Sequence, residues 1–195
     1  MHGLINRSIQ LFVTETYGQN IWQAVTRAAG LDFTEFEGMM RYEETFTPRL
    51  LDGIAEVLSR PRAELMEDLG TFVVSNSGFE AVRRLLRFGG IDFVDFLHSL
   101  DDLDDRVRLA ITDLDLPKVE LHQHGEGHYR LLCPAPIEGY GNVMMGVLRA
   151  MADDYGALAL LEHEGCTENG EVVSIRLVEA DFAEGRRFDL GACVA

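Results

Sequence analysis

The sequence has few basic residues and no long apolar run. Lysine and arginine number 17 against 33 aspartates and glutamates, which gives a formal net charge of -16. A surface this acidic repels phosphate backbones and anionic lipids, which argues against nucleic acid and membrane surfaces as partners. No apolar segment approaches the roughly 20 residues that span a bilayer. Residues 1–10 lack the basic and apolar regions of a signal peptide. We therefore expect a cytoplasmic protein.

Cysteine is also scarce. Cys133, Cys166 and Cys193 are odd in number and widely spaced, and no CxxC pair is present. This pattern indicates reduced thiols rather than a disulfide framework. The sequence likewise lacks a nucleophile–base pair and a glycine-rich phosphate loop between a strand and a helix. We therefore predict that the protein is not an enzyme.

Helical spacing dominates the first 114 residues. An apolar stripe ends near Tyr17, a second helix covers 20–29, and prolines at 48 and 61 suit the first turns of two more helices. A short basic helix over 78–88 closes at two glycines. One continuous helix is then predicted from about Asp92 to Thr112.

After Pro117 the apolar period becomes that of strands. Residues 119–124 and 128–133 predict a hairpin around the glycines at 125 and 127, and a second strand pair follows the helix at 141–154. The predicted fold is α+β, with a helical N-terminal part followed by a small antiparallel sheet with packed helices. We expect one domain over 1–182 and a short C-terminal tail over 183–195.

Alternation along the hairpin assigns its two faces. Leu121, Tyr129, Leu131 and Cys133 are predicted to face the core, and Arg130 to face outward. Three histidines share the outward face and could bind Zn²⁺, although surface histidines in such pairs are more often solvated. They are His122, His124 and His128.

Asp104 is the anomaly of the long helical segment. On a helix of 3.6 residues per turn it falls within an otherwise apolar face. The other members of that face are Phe93, Phe96, Leu97, Leu100, Leu103, Val107, Ala110, Ile111 and Leu114. A carboxylate there lies at the margin of the core, caps a helix or faces a cavity. A partner among Arg83, Arg84 and Arg87 would lower its pKa. We favour an unpaired acid with a raised pKa.

The acid run DDLDD also resembles the Asp-rich motif of magnesium-dependent prenyl transferases. Asp101 and Asp105 lie one turn apart and could share Mg²⁺. Those enzymes need a basic pocket for diphosphate and a second acidic patch, which this sequence lacks. A solvated acidic face is the more ordinary explanation of such a run.

Taken in order, several segments resemble the heme nitric-oxide/oxygen binding (H-NOX) family, which also forms the N-terminus of soluble guanylate cyclase subunits. MHGLINRSIQ is similar to the family's opening M-x-G segment, and YGQNIWQAV to its YG-x-x-x-W helix. The segment 42–73 is similar to the following helix pair. FLHSLDDLDDRV is similar to FL-x-x-LD-x-L-H-x-x-V, and Pro117 stands thirteen residues after Asp104, as the family's proline does after its heme-ligating histidine.

The resemblance implies a heme b pocket, and this chain departs from it at two points. Asp104 stands at the position of the proximal histidine, where a neutral imidazole would bind Fe(II). In the Y-x-S-x-R motif that clamps the heme propionates, Tyr129 matches, but Leu131 and Cys133 replace the serine and the arginine. Further heme-pocket positions implied by resemblance are Pro117 and Ile5.

The expected protein is thus a divergent bacterial member of this family, with weak or absent heme. The resemblance implies a sensory or regulatory domain acting on a signalling partner such as a histidine kinase or a diguanylate cyclase. The alternative is a working heme-based NO/O₂ sensor with a non-histidine or displaced ligand. His98 is a poor replacement, because six residues turn a helix by about 600° and place it on another face. Cys133 and Cys166 are also similar to a cysteine zinc site of some bacterial members, although four thiols are lacking.

Overall fold

The helices expected in the first half of the chain are present, with bounds close to those predicted. The structure is a computed structural model, and it describes residues 1–134 and 138–188. Cys193 and the end of the predicted tail lie outside the described residues. The first helices are α1 (Gly3–Tyr17), α2 (Gln19–Ala28), α3 (Phe46–Leu58), α4 (Arg62–Ser75) and α5 (Glu80–Arg87).

The prediction of one continuous helix from Asp92 to Thr112 is wrong, because the structure has two shorter helices there. α6 (Phe93–His98) and α7 (Leu103–Ala110) are separated by a 3₁₀ turn over Ser99–Asp102. The backbone N–H of Leu103 bonds to the carbonyl of Leu100 rather than to that of Ser99. The Ser99 carbonyl instead accepts from the Arg106 guanidinium at 2.8 Å. The Arg106 side chain thus occupies the carbonyl that would accept from the Leu103 N–H in a continuous α-helix.

The second half contains the predicted sheet. Its strands are β1 (Glu120–Gly125), β2 (His128–Cys133), β3 (Leu158–Thr167) and β4 (Gly170–Glu179), with α8 (Tyr140–Tyr155) between β2 and β3. The strand order is β1-β2-β4-β3, and every neighbouring pair is antiparallel. The α+β prediction is confirmed. Among the described residues, no helix is long and apolar enough to cross a membrane.

The chain divides into two compact units, residues 1–69 and 70–195. In the first unit α2 packs against both α1 and α3. Trp22 is fully buried there and donates its indole N–H to the Thr34 carbonyl at 2.7 Å. A buried hydrogen bond of 2.7 Å from the Thr47 hydroxyl to the Asn6 side-chain oxygen joins α3 to α1. The predicted division into a domain over 1–182 and a tail stays a prediction.

In the second unit α8 covers the inner face of the sheet. The helix contacts β2, β3 and β4, and Leu148 and Met151 are fully buried in this layer. Leu131, Val173 and Ile175 are buried on the facing strands, as the alternation predicts.

Candidate functional site

Asp104 lies at the first turn of α7, at the margin of the core rather than within it. Its side chain is 14% exposed, while its neighbours Leu103 and Val107 are buried. The two members of the predicted apolar face nearest the helix end, Ala110 and Ile111, are exposed and half-buried. The 3₁₀ turn rotates α7 relative to α6, so a face drawn on one straight helix places these side chains too deep.

The Asp104 carboxylate is paired. One oxygen accepts from Arg108 Nη2 at 2.7 Å, and the other accepts from the Leu116 backbone N–H at 3.3 Å. Arg108 also lies 3.6 Å from a carboxylate oxygen of Asp115. The favoured prediction of an unpaired Asp104 is therefore wrong. The partner is the arginine one turn along the same helix, not one from the basic helix over 78–88.

The remaining acids of the DDLDD run have different surroundings. Asp101 accepts from the Leu121 backbone N–H at 2.7 Å, which ties the edge strand β1 to the 3₁₀ turn. Asp105 is exposed and lies 4.0 Å from Arg108. No set of three or more His, Cys, Asp or Glu residues could hold a metal ion within residues 1–134 and 138–188. In that range the histidines of the hairpin and the cysteine pair thus form no such set either.

The hairpin places its side chains as the alternation predicts. Tyr129, Leu131 and Cys133 are buried on the inner face, and Leu121 is half-buried. Arg130 faces outward and pairs with Glu164 at 3.0 Å, so it does not approach the inner face. The outward histidines at 122, 124 and 128 are all exposed. The inner face of β2 thus carries the side chains of Tyr129, Leu131 and Cys133.

Burial controls the chemistry of this inner face. It raises the pKa of the Cys133 thiol to about 12, and the charge of Glu171 adds to the shift. Burial also raises the pKa of the Tyr140 hydroxyl, with smaller contributions from Cys133 and Asp104. Both groups stay protonated near neutral pH. Cys133 is therefore an inert buried thiol rather than a thiolate ligand or nucleophile.

The other positions implied by the resemblance lie on different elements of the chain. Pro117 is half-buried in the segment between α7 and β1, one residue after the N–H that Asp104 binds. Ile5 is half-buried on α1 in the first unit. His98 is exposed, and its ring meets the Tyr129 ring edge-on with centroids 5.8 Å apart. The structure thus brings Tyr129 toward His98, and Asp104 toward the segment that leads to Pro117.

Two buried acids were missed by the sequence reasoning. Glu171 accepts from the backbone N–H groups of Gly139 and Gly141 at 2.6 and 2.8 Å, and lies 3.1 Å from His163 Nε2. It thereby caps the start of α8. Its position has the same parity along β4 as the buried Val173, so alternation contained the signal. Asp154 is the second, and it accepts from Arg83 Nε at 2.7 Å.

The Asp104 contacts predict a modest stabilising role. Asp104→Ala is expected to lower the free energy of unfolding by about 1 kcal/mol, because a partly exposed ion pair and one hydrogen bond to backbone are lost. Urea denaturation followed by circular dichroism measures the change. The matched control is Asp105→Ala, which removes an exposed acid of the same helix turn. An equal effect of the two variants would contradict the assigned pairing.

Comparison with known proteins finds one matching family and several related sequences. The family model described as Haem-NO-binding matches residues 2–163. The soluble guanylate cyclase gcy-31 of Caenorhabditis elegans is 28% identical over an alignment 159 positions long, and the match covers 79% of this chain and 22% of the cyclase. The soluble guanylate cyclase 89Da of Drosophila melanogaster is 23% identical over an alignment 190 positions long, and the match covers 92% of this chain and 27% of that one. The chain thus spans about a quarter of the length of these relatives.

H-NOX proteins are among the solved structures that share this fold. The Fe(II) unliganded H-NOX protein from K. algicida superposes with a TM-score of 0.77 at 15% identity, over 97% of this chain and 100% of that one. An oxygen-binding H-NOX domain related to soluble guanylate cyclases gives 0.71 at 13% identity, over 96% and 100%. These likenesses establish the fold.

Proposed function

This chain belongs to the Haem-NO-binding (H-NOX) family, and from that membership we propose that it is a regulatory domain that no longer holds heme through a protein ligand. H-NOX domains are sensor domains rather than catalytic ones. The chain then keeps a regulatory role but does not respond to a gas bound at heme. The observation that carries it is the pairing of Asp104, the residue at the ligand position, with Arg108 and the Leu116 N–H.

The residues at the ligand position do not fit a ferrous heme. Heme iron is held by a neutral imidazole, a thiolate, a thioether or a phenolate in known proteins. Here both carboxylate oxygens already accept hydrogen bonds, one of them from a guanidinium. Binding iron would break the ion pair with Arg108. The resulting bond would also be weak, because a carboxylate is a poor axial ligand for ferrous heme.

The propionate position does not fit either. Propionates are anions, and anions inside proteins are bound by arginines or by several N–H groups. Leu131 and Cys133 supply neither, and both are fully buried. Arg130 is committed to Glu164 on the opposite face of the sheet. With the ligand and the clamp both missing, we derive no chemistry that passes through heme in this chain.

Output through a partner protein is the second part of the proposal. The curated relatives are cyclases of which this chain matches about a quarter. We propose that the chain acts in the cytoplasm on a signalling enzyme, such as a histidine kinase or a diguanylate cyclase. In this proposal the chain keeps the fold of the family, and its function is to bind that enzyme and not to sense a gas.

Restoring the ligand tests the first part of the proposal. In hemin titrations the wild-type protein is expected to bind loosely, without saturation at one equivalent. Asp104→His supplies an imidazole at the ligand position, and should tighten binding at least about tenfold, or about 1.4 kcal/mol. Retention should still be incomplete, because the propionates lack an arginine. Asp105→His is the matched control, since it adds the same imidazole on the exposed side of the same turn.

Two results would contradict the proposal. One is stoichiometric, tight hemin binding by the wild-type protein, which would favour a sensor with a displaced ligand. The other is an Asp104→His variant that binds hemin no better than Asp105→His. That result would mean that Asp104 does not occupy the ligand position.

A further inference from the structure

The turn between α5 and α6 presents two of the most exposed apolar side chains in the described part of the chain. Phe88 is 71% exposed and Ile91 is 90% exposed. They border a depression of about 370 Å³, which Arg87, Asp95 and Phe188 also line. We call this set, together with Asp92, the docking surface.

The backbone beneath these side chains is held rigidly. The Tyr155 hydroxyl donates to the Gly90 carbonyl at 2.9 Å, and Asp95 accepts from the Ile91 N–H at 3.2 Å. Gly90 lies so close to α6 that an added Cβ would meet both the Asp95 side chain and the Phe96 nitrogen. Ile91 is thus fixed in an exposed position by its surroundings. An apolar side chain presented on a fixed frame is typical of an interaction surface.

The charge of the docking surface is acidic at its rim. Asp92 and Asp95 are both exposed. The cation that lines the depression, Arg87, lies 3.8 Å from the centre of the Tyr155 ring and 3.5 Å from Asp154, so its charge is already compensated. The whole chain carries a net charge of -16. The complement of such a surface is an apolar anchor flanked by basic side chains.

The docking surface is also joined to the helix that carries Asp104. Arg106 of α7 donates to the Leu85 carbonyl at the end of α5 and to both the carbonyl and the hydroxyl of Ser99. Gly89 packs directly on this junction, since an added Cβ would meet the Ser99 hydroxyl and lie 2.7 Å from Arg106 Nη1. A protein bound at Phe88 and Ile91 would therefore contact the turn that Arg106 fastens to α7.

We infer that the docking surface binds an amphipathic helix of a partner protein, whose apolar anchor enters the depression and whose Lys or Arg residues meet Asp92 and Asp95. This inference rests on the proposed function, and it names the surface and the chemistry of the partner. Proteins commonly recognise an amphipathic helix by binding its apolar side chains, which recur at helical spacing, in an apolar groove. A second copy of this chain is disfavoured as occupant, because its own net charge of -16 opposes association.

A synthetic helical peptide of leucine and lysine, labelled with fluorescein, serves as the probe. Fluorescence anisotropy at 0.15 M salt, a concentration that screens distant charges beyond about 8 Å, should show saturable binding by the full chain. The same peptide with glutamate in place of lysine should not bind. Phe88→Ser with Ile91→Ser should weaken binding at least about tenfold, as expected for anchor residues. Met39→Ser, at an apolar residue 81% exposed in the first unit, is the matched control.

The rim is tested separately with Asp92→Asn and Asp95→Asn. Asparagine keeps the hydrogen-bond acceptor that Asp92 provides at the N-cap of α6, so a weaker affinity reports charge rather than unfolding. Together they should weaken binding several-fold and flatten its dependence on salt. Amide shift changes in nuclear magnetic resonance spectra should centre on residues 87–95.

Three outcomes would overturn the inference. The first is no saturable binding, and the second is binding that the Phe88 and Ile91 substitutions leave unchanged. The third is a wild-type dimer in sedimentation that Ile91→Ser dissociates, which would assign the surface to a second copy. Hemin titration is independent of these measurements. A failed peptide experiment with loose hemin binding would therefore reject the docking surface and leave the heme proposal standing.

Discussion

Asp154→Ala is expected to lower the free energy of unfolding by about 3–5 kcal/mol. The Asp154 and Arg83 side chains are 4% and 5% exposed, and Asp154 accepts from Arg83 Nε at 2.7 Å. Although burial disfavours the Arg83 charge, the hydrogen bond and the charge of Asp154 raise the pKa of Arg83 overall. Removing the acid therefore leaves a buried, charged guanidinium whose remaining acidic partner is Glu80, a half-exposed residue at 3.0 Å.

The loss should be larger than that of a typical surface ion pair because Asp154 organises its surroundings. It orients the Arg83 guanidinium, which also donates to the Arg187 carbonyl at 3.1 Å. The Asp154–Arg83 pair thus fixes the segment that follows β4. Loss of the acid is expected to loosen that segment and to leave the buried Arg83 charge without its main partner.

Asp153→Ala is the matched control, since the Asp153 side chain is exposed at the preceding position of α8. It should change stability by less than about 0.5 kcal/mol. Urea denaturation followed by far-ultraviolet circular dichroism gives both values. Asp154→Asn keeps the shape and removes the charge, so it should fall between the two. A loss below about 1 kcal/mol for Asp154→Ala would show that water reaches the pair.

Glu171→Ala is expected to cost about 2–4 kcal/mol, the second largest effect. Its carboxylate accepts from two backbone N–H groups at the start of α8 and faces His163. The first N–H groups of a helix have no partner within the helix, and the positive end of the helix dipole adds to the attraction for an anion. Alanine would leave these buried donors without an acceptor.

Glu168→Ala is the control for this prediction, because Glu168 is exposed in the turn between β3 and β4. Glu171→Gln keeps one acceptor and should recover part of the loss. Thermal unfolding and amide hydrogen exchange of residues 139–143 measure the global and the local effect. Unchanged exchange at the start of α8 in Glu171→Ala would contradict the capping role.

The hairpin and its faces were predictable from the sequence because strand alternation is a local rule. Tyr129, Leu131 and Cys133 all face inward as alternation requires. The same rule extends to β4, where it would have identified Glu171 as an inward-facing acid. It could not have shown what the carboxylate binds, since the glycines at 139 and 141 are about thirty residues away in sequence.

The surroundings of Asp104 were harder to predict. A helical projection assumes a straight helix, and the 3₁₀ turn over Ser99–Asp102 depends on Arg106 reaching back to the Ser99 carbonyl. That contact involves a side chain seven residues away and leaves no periodic signal. The assignment of Asp104 to the family's ligand position, made from the spacing to Pro117, stays a prediction. Its pairing with Arg108 and the Leu116 N–H was not predictable from the sequence, because it depends on how the chain turns after α7.

The most direct test of the central claim is the visible absorption spectrum of the wild-type protein, produced in cells supplied with a heme precursor and reduced with dithionite. Asp104, which we propose stands at the ligand position, is paired with Arg108, and Leu131 and Cys133, which we propose stand at the clamp position, are buried. We therefore predict no Soret band of stoichiometric intensity relative to the protein absorbance. One equivalent of heme with a five-coordinate, histidine-type ferrous spectrum would contradict the claim.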